Sequence, residues 1–163
     1  MDAVTAPVLL ELGEGILVPA PEEGLKLRYS QEAVDAVLEF LGLLVFGQNE
    51  WAGQPFRLLP WELEAIGQFY GVQVEDEDGR WVRYRRFLYT EIPKKNGKSE
   101  LAAALGLYHL VYDGESRPQV GIFAADKSNA DIIYQCAKYM VEHTALGQPE
   151  HDPLVWCRDS TRE

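Results

Sequence analysis

Residues 87 to 112 read FLYTEIPKKNGKSELAAALGLYHLVY, and this stretch constrains the fold more than any other. Phe87 to Ile92 suits a strand, Pro93-Lys94-Lys95-Asn96 a polar loop, and Gly97-Lys98-Ser99 opens a long apolar helix. Strand, loop, Gly-Lys-Ser and helix is the layout of a P-loop. The chemistry asks for that order. The first N–H groups of a helix have no intrahelical partner, and the helix dipole adds partial positive charge to them. Lys98 would place an ammonium on the outer phosphates, and Ser99 would offer its hydroxyl to Mg²⁺. Gly97 lets the backbone approach a phosphate with no Cβ in the way. The usual pattern, G-x-x-x-x-G-K-[ST], puts its first glycine where this chain has Ile92.

The rest of the composition fits a globular chain. Its 163 residues suit one domain; 47% are hydrophobic and 25% charged. The apolar run from Val8 to Ala20 is interrupted by Glu11 and Glu14, so neither a membrane span nor a secretory signal is expected. Cys136 and Cys157 form no paired motif, and His109, His143 and His151 lack metal-site spacing with them. A reduced intracellular protein is expected. The net charge of −11 argues against a protein that simply coats nucleic acid. Yet Arg80, Arg83, Arg85, Arg86, Lys94, Lys95 and Lys98 concentrate seven of the fifteen basic residues directly after the acidic turn Glu75-Asp76-Glu77-Asp78-Gly79.

In chain order, residues 1–29 carry Pro7, Pro19 and Pro21 and read as an extended N-terminal arm. Ser30 is the expected N-cap of a helix reaching about Phe46, with Val34, Val37, Leu38, Leu41, Leu44 and Val45 at helical spacing and Gly47 as its stop. A second helix is expected from Pro60 to Gly71, then strand material from Trp81 to Ile92. Residues 98–112 are apolar nearly all round, as in a helix buried against a sheet. Val120 to Ala125 reads as a buried parallel strand, Ser128 with Asp131 as the start of a further helix, and Leu154 to Cys157 as one more strand. Alternating strands and helices predict an α/β fold: a P-loop NTPase-type, three-layer architecture with a largely parallel sheet over residues 30–163.

Five stretches taken together resemble one family. They are Glu50-Trp51-Ala52-Gly53-Gln54-Pro55-Phe56, Leu59-Pro60-Trp61, Tyr70-Gly71, Ile92 to Ser99, and Ala124-Ala125-Asp126. In this order they are similar to the large terminase subunit of tailed bacteriophages, the ATP-driven motor that packages DNA. The resemblance covers roughly residues 30 to 155, and P-loops of that family are similar in lacking the first glycine. It implies ATP and Mg²⁺ as cofactors. It implies a nucleotide site built from Trp61, Glu62, Pro93, Lys94, Lys95, Asn96, Gly97, Lys98, Ser99 and Glu100. Within it, Lys94 and Lys98 would be catalytic and Ser99 would stand on the Mg²⁺ side. Lys94 stands where the family has an arginine reaching the γ-phosphate, and lysine brings the charge without the planar fork. Glu62 stands where the family has a glutamine reading adenine; an ionised carboxylate accepts but does not donate. Asn129-Ala130 resembles the family's Gln-Ala pair.

The implied partners are double-stranded DNA, the portal protein, the small terminase subunit and further copies in a ring. The implied location is the host cytoplasm, on the procapsid and not in a membrane. A second acidic motif, needed to hold Mg²⁺ and orient water, has only Phe123-Ala124-Ala125-Asp126 as a candidate, and Lys127 follows it. No carboxylate cluster of a nuclease domain is recognisable. The chain is therefore expected to be an N-terminal portion of the motor, inactive alone as ATPase and nuclease. The alternatives are a non-enzymatic phage assembly module and another small P-loop nucleotide-binding protein.

Overall fold

The computed structural model describes residues 9–11, 17–19, 25–147, 155 and 157. Two compact units emerge, Met1–Val37 with Leu59–Thr90 and Leu38–Leu58 with Glu91–Glu163.

In the first unit, β1 (Leu9–Glu11) pairs antiparallel with β2 (Leu17–Pro19), Leu10 facing Val18 across the ladder. A separate antiparallel sheet has the order β3 (Leu27–Tyr29), β4 (Val72–Glu75), β5 (Trp81–Arg83). The arm expected over residues 1–29 is thus shortened, because Leu27–Tyr29 saturates the backbone edge of β4 that β5 leaves open. The Arg28 guanidinium lies over the Trp81 ring at 4.4 Å, and its Nε donates to Gln73 Oε1 at 2.8 Å, so this sheet face is stapled by side chains as well as by its ladder. Helix α1 (Gln31–Gly42) begins as expected: Ser30 Oγ accepts from the Ala33 N–H at 3.2 Å. Helix α2 (Pro60–Gly71) also keeps its expected bounds, with Pro60 in the first turn and Ile66, Phe69 and Tyr70 buried. Arg83 reaches back from β5 over the Phe69 ring at 4.9 Å.

In the second unit, Phe40, Leu41 and Leu44 form a core with Phe56, Leu101, Ala104, Leu107 and Met140. The expected extension of α1 to Phe46 does not occur. Gly42 is a poor helix former, and the backbone beyond it is claimed by a hairpin. Val45 bridges Pro55, the Phe46 N–H donates to Gln54 O at 2.9 Å, and the Gly53 N–H returns to Phe46 O at 2.9 Å. A 3-10 turn at Asn49–Trp51 forms its tip. Helix α3 (Lys98–Val111) and helix α4 (Lys127–Glu142) pack on one another. The Phe40 ring meets Tyr108 edge-on at 5.7 Å. Near the end of α3, His109 Nδ1 and Asp113 Oδ2 lie 2.6 Å apart.

The chain is therefore a mixed α and β protein, but the sheet described is antiparallel, not the expected parallel one. Residues 87–92 and 120–125 carry no strand pairing among the described residues. A parallel strand is held by neighbours on either side and covered on both faces. These segments have no paired strand beside them among the described residues, and Phe87, Tyr89 and Phe123 stand 92%, 86% and 94% exposed. Of the last expected strand only Val155 and Cys157 are described; the Val155 N–H donates to Leu146 O at 3.0 Å. His151 lies outside the described residues. No helix among them is long and apolar enough to cross a membrane.

Candidate functional site

The loop from Pro93 to Ser99 lies wholly in the second unit. Pro93 contributes no N–H, so the donors run from Lys94 onward. Lys95 (φ 68°) and Gly97 (φ 78°) both take the left-handed conformation. Left-handed residues interspersed in a turn face successive N–H groups inward, as in an anion-binding nest. Lysine in that region is strained where glycine is not, which is why Gly97 is needed at the last step. The loop is braced from inside by Asn96, whose Nδ2 donates to Pro93 O at 3.2 Å. Gly97 is the N-cap of α3 and carries no side-chain cap, leaving the first-turn donors to other partners. The Lys98 ammonium arches back over the loop and donates to the Ile92 carbonyl, six residues earlier. Lys94, Lys95 and Lys98 are exposed, and Ser99 is half-buried in the first turn. Sequence reasoning brings these residues together, and the structure places them in one loop. It does not foresee the Ile92 carbonyl as the ammonium's partner, because a main-chain acceptor leaves no mark in a sequence.

Glu100, in the same first turn, sends its carboxylate elsewhere. Its Oε2 accepts from the Gly47 N–H at 3.0 Å, and the Gln48 N–H also acts on it. Burial pushes the Glu100 carboxyl up, with those two N–H groups pulling the other way. The charge is felt by Cys136: burial first, and Glu100 second, push that thiol up to about 12. Cys136 is wholly buried and Cys157 exposed. Thiol reagent at neutral pH is expected to modify Cys157 rapidly and Cys136 only on unfolding. Two thiols reacting at one fast rate in the folded chain would contradict this environment.

Trp61 and Glu62, implied as base contacts, belong to the first unit. Glu62 is 3% exposed and its Oε2 accepts from the Leu59 N–H at 2.7 Å, closing the start of α2. The reciprocal half of a capping box is supplied by the Leu59 carbonyl, which takes the Glu62 N–H at 3.0 Å, since leucine has no side-chain acceptor. Trp61 Nε1 is buried without a hydrogen-bond partner among the described residues. The Trp61 ring lines a shallow cleft of about 260 Å³ with Gln68, Phe69, Arg85, Phe87 and Tyr89, and no residue of the Pro93–Ser99 loop joins that lining.

Burial pushes the Glu62 carboxyl up, against the pull of the Leu59 N–H. A raised folded-state value means that its contribution is fully present below the ordinary glutamate range and is lost as pH rises through the folded value. Glu62→Gln keeps an acceptor and removes the buried charge, so its stability relative to the parent is expected to improve as pH is raised from 4 to 7. Glu62→Ala is expected to lose about 1 kcal/mol or more, through the lost cap. Paired urea titrations of the three proteins check this, and a Gln variant as unstable as Ala would refute it.

Asp126, the candidate second acidic residue, caps α4 instead. Its Oδ1 accepts from the Asn129 N–H at 3.0 Å and from the Ser128 hydroxyl at 2.5 Å, and these bonds pull its carboxyl below the usual range. The expected helix start at Ser128 thus moves to Asp126, because the aspartate takes the Asn129 N–H of the first turn and engages the Ser128 hydroxyl as a donor, which leaves Ser128 inside the helix. Asn129, the proposed counterpart of the family glutamine, spends its Nδ2 on Asp126 Oδ2 at 2.7 Å. No group of three or more His, Cys, Asp or Glu among the described residues is arranged to hold a metal. Compared with family models, with curated proteins and with solved structures, the chain matches none.

Proposed function

We propose that the chain holds the phosphates of Mg·ATP in the loop 93–99, as the N-terminal part of the packaging ATPase of a tailed-phage large terminase. The observation that carries the phosphate reading is the Lys98 ammonium folded back onto the Ile92 carbonyl across a loop with left-handed turns at Lys95 and Gly97. That arrangement holds a positive charge at the start of the loop and gives the ammonium a neutral, replaceable partner. A phosphate oxygen replaces a neutral carbonyl with a charged acceptor, and charge-assisted bonds are the stronger kind. The uncapped first turn of α3 adds its N–H groups and dipole.

In this reading the backbone from Lys94 to Ser99 cradles the β-phosphate, Lys98 bridges toward the γ-phosphate, and Lys94 supplies charge at its outer oxygens. Ser99 offers its hydroxyl on the magnesium side; bound Mg²⁺ would neutralise charge on the β- and γ-oxygens. The parallel sheet on which such loops are mounted, double-stranded DNA, the portal protein, the small terminase subunit, a ring of copies and a host-cytoplasmic location are parts of the same proposal, supported by the five-stretch resemblance alone.

Calorimetric titration of the whole chain with Mg·ATP tests the reading. Binding is expected in the parent and not in Lys98→Ala. Equal binding by the two proteins, or none by either, overturns it.

A further inference from the structure

Glutamate at the third position of a helix ordinarily turns back to the N-cap N–H and satisfies one of the orphan donors. On α3 that position is Glu100 and the N-cap is Gly97. The carboxylate goes instead to the Gly47 and Gln48 N–H groups, Gly47 at 3.0 Å. Those two residues are themselves fixed to α4. A Cβ added at Gly47 would lie 2.8 Å from Cys136 O, so the backbones are in direct contact. Gln48 Nε2 donates to Ile132 O at 3.3 Å. One side chain thus ties the first turn of α3 to the base of the 45–55 hairpin, and that base to the middle of α4. The tie starts one residue from Ser99 and two from Lys98.

We infer that Glu100 is a positioning residue of the phosphate loop: by anchoring on the Gly47 and Gln48 N–H groups it holds the first turn of α3 in place and keeps its own carboxylate off the donors that a phosphate needs. This rests on the phosphate reading of the loop. Two effects follow from the same geometry. Released from Gly47, a glutamate here turns back to the Gly97 N–H and competes with the incoming anion. Truncated, it leaves the two hairpin N–H groups unpaired, and the first turn of α3 loses its tether.

The test uses inorganic tripolyphosphate with Mg²⁺ as probe, so that base contacts play no part, together with amide hydrogen exchange at Gly47 and Gln48 without any ligand. Glu100→Ala is expected to lose exchange protection at both amides and to bind the probe about tenfold more weakly, the effect of roughly one hydrogen-bonded anchor. Glu100→Gln keeps an acceptor oxygen and is expected to retain protection and most of the affinity. Gly47→Ala, which displaces the acceptor's partner, is expected to reproduce the weakened binding of Glu100→Ala. If Glu100→Ala binds as the parent does while Lys98→Ala does not bind, the positioning role is refuted and the phosphate site stands. If Lys98→Ala binds as the parent does, the phosphate site itself fails, and the positioning role with it. Weak binding by Glu100→Gln with protection retained also refutes the role, since anchoring would then be insufficient.

Discussion

Gly47→Ala is expected to destabilise the second unit by about 1–3 kcal/mol, the range of a core forced to accept an extra group where none fits. The added Cβ would meet Cys136 O at 2.8 Å, Cys136 Cα at 2.9 Å and Cys136 C at 3.2 Å. All three are main-chain atoms in the interior of α4, so no rotamer change relieves the clash; either the hairpin or the helix must shift. Cys136 and Met140, both at 0% exposure, sit where that shift is felt. The shift also pulls the Gly47 N–H away from Glu100. Denaturant unfolding of parent and variant, followed by tyrosine and tryptophan fluorescence, measures the effect. Gly106→Ala is the matched control. There a Cβ would meet only Val120 Cγ1 at 3.5 Å, ordinary contact, inside helix α3. A gain of about 0.5–1 kcal/mol is expected from helix propensity. If Gly47→Ala unfolds within about 0.5 kcal/mol of the parent, as for an ordinary surface change, the close approach to α4 is wrong.

The contrast between these glycines shows which features could be read from sequence. Ser30, Pro60 and the Gly97–Lys98 step marked helix starts, because capping chemistry is local and a few residues contain all of it. Asp126 and Ser128 were both capping types within three residues, and the choice between them depended on geometry that sequence does not hold. The sheet was less legible. Leu27–Tyr29 pairs with Val72–Glu75 across more than forty residues, and nothing in either strand names the other. Val120 to Ala125 had the composition of a buried strand, but composition supplies no neighbour. The site divides the same way. The residues 93–99 are contiguous, so the sequence itself sets them side by side. It does not set the destination of each carboxylate: Glu62 turns back three residues to its own helix start, while Glu100 reaches across fifty-three residues to Gly47.

The largest functional effect is expected at the three lysines of the loop, which differ in role although all three are exposed. Lys98→Ala is expected to weaken Mg·ATP binding by about a hundredfold or more, the equivalent of two charge-assisted hydrogen bonds at roughly 1.5 kcal/mol each. Its ammonium already lies over the loop, so truncation removes a charge that is held in place, not a mobile surface cation. Lys95 is set apart by its backbone, at φ 68°. Lys95→Gly is expected to bind as well as the parent or better, since glycine adopts the left-handed conformation without strain. Lys95→Val is expected to weaken binding, because a β-branched residue resists that conformation and distorts the nest. Lys94 is expected to act on the outer phosphate. Lys94→Ala should lower affinity for Mg·ATP about fivefold with Mg·ADP affinity little changed, and Lys94→Arg should preserve or raise the preference for ATP by restoring a planar fork. Titrations of the five variants with both nucleotides separate these roles. Should Lys95→Gly lose binding while Lys94→Ala keeps its full ATP preference, the two side chains have exchanged roles: Lys95 senses the outer phosphate, and the left-handed turn serves to aim it.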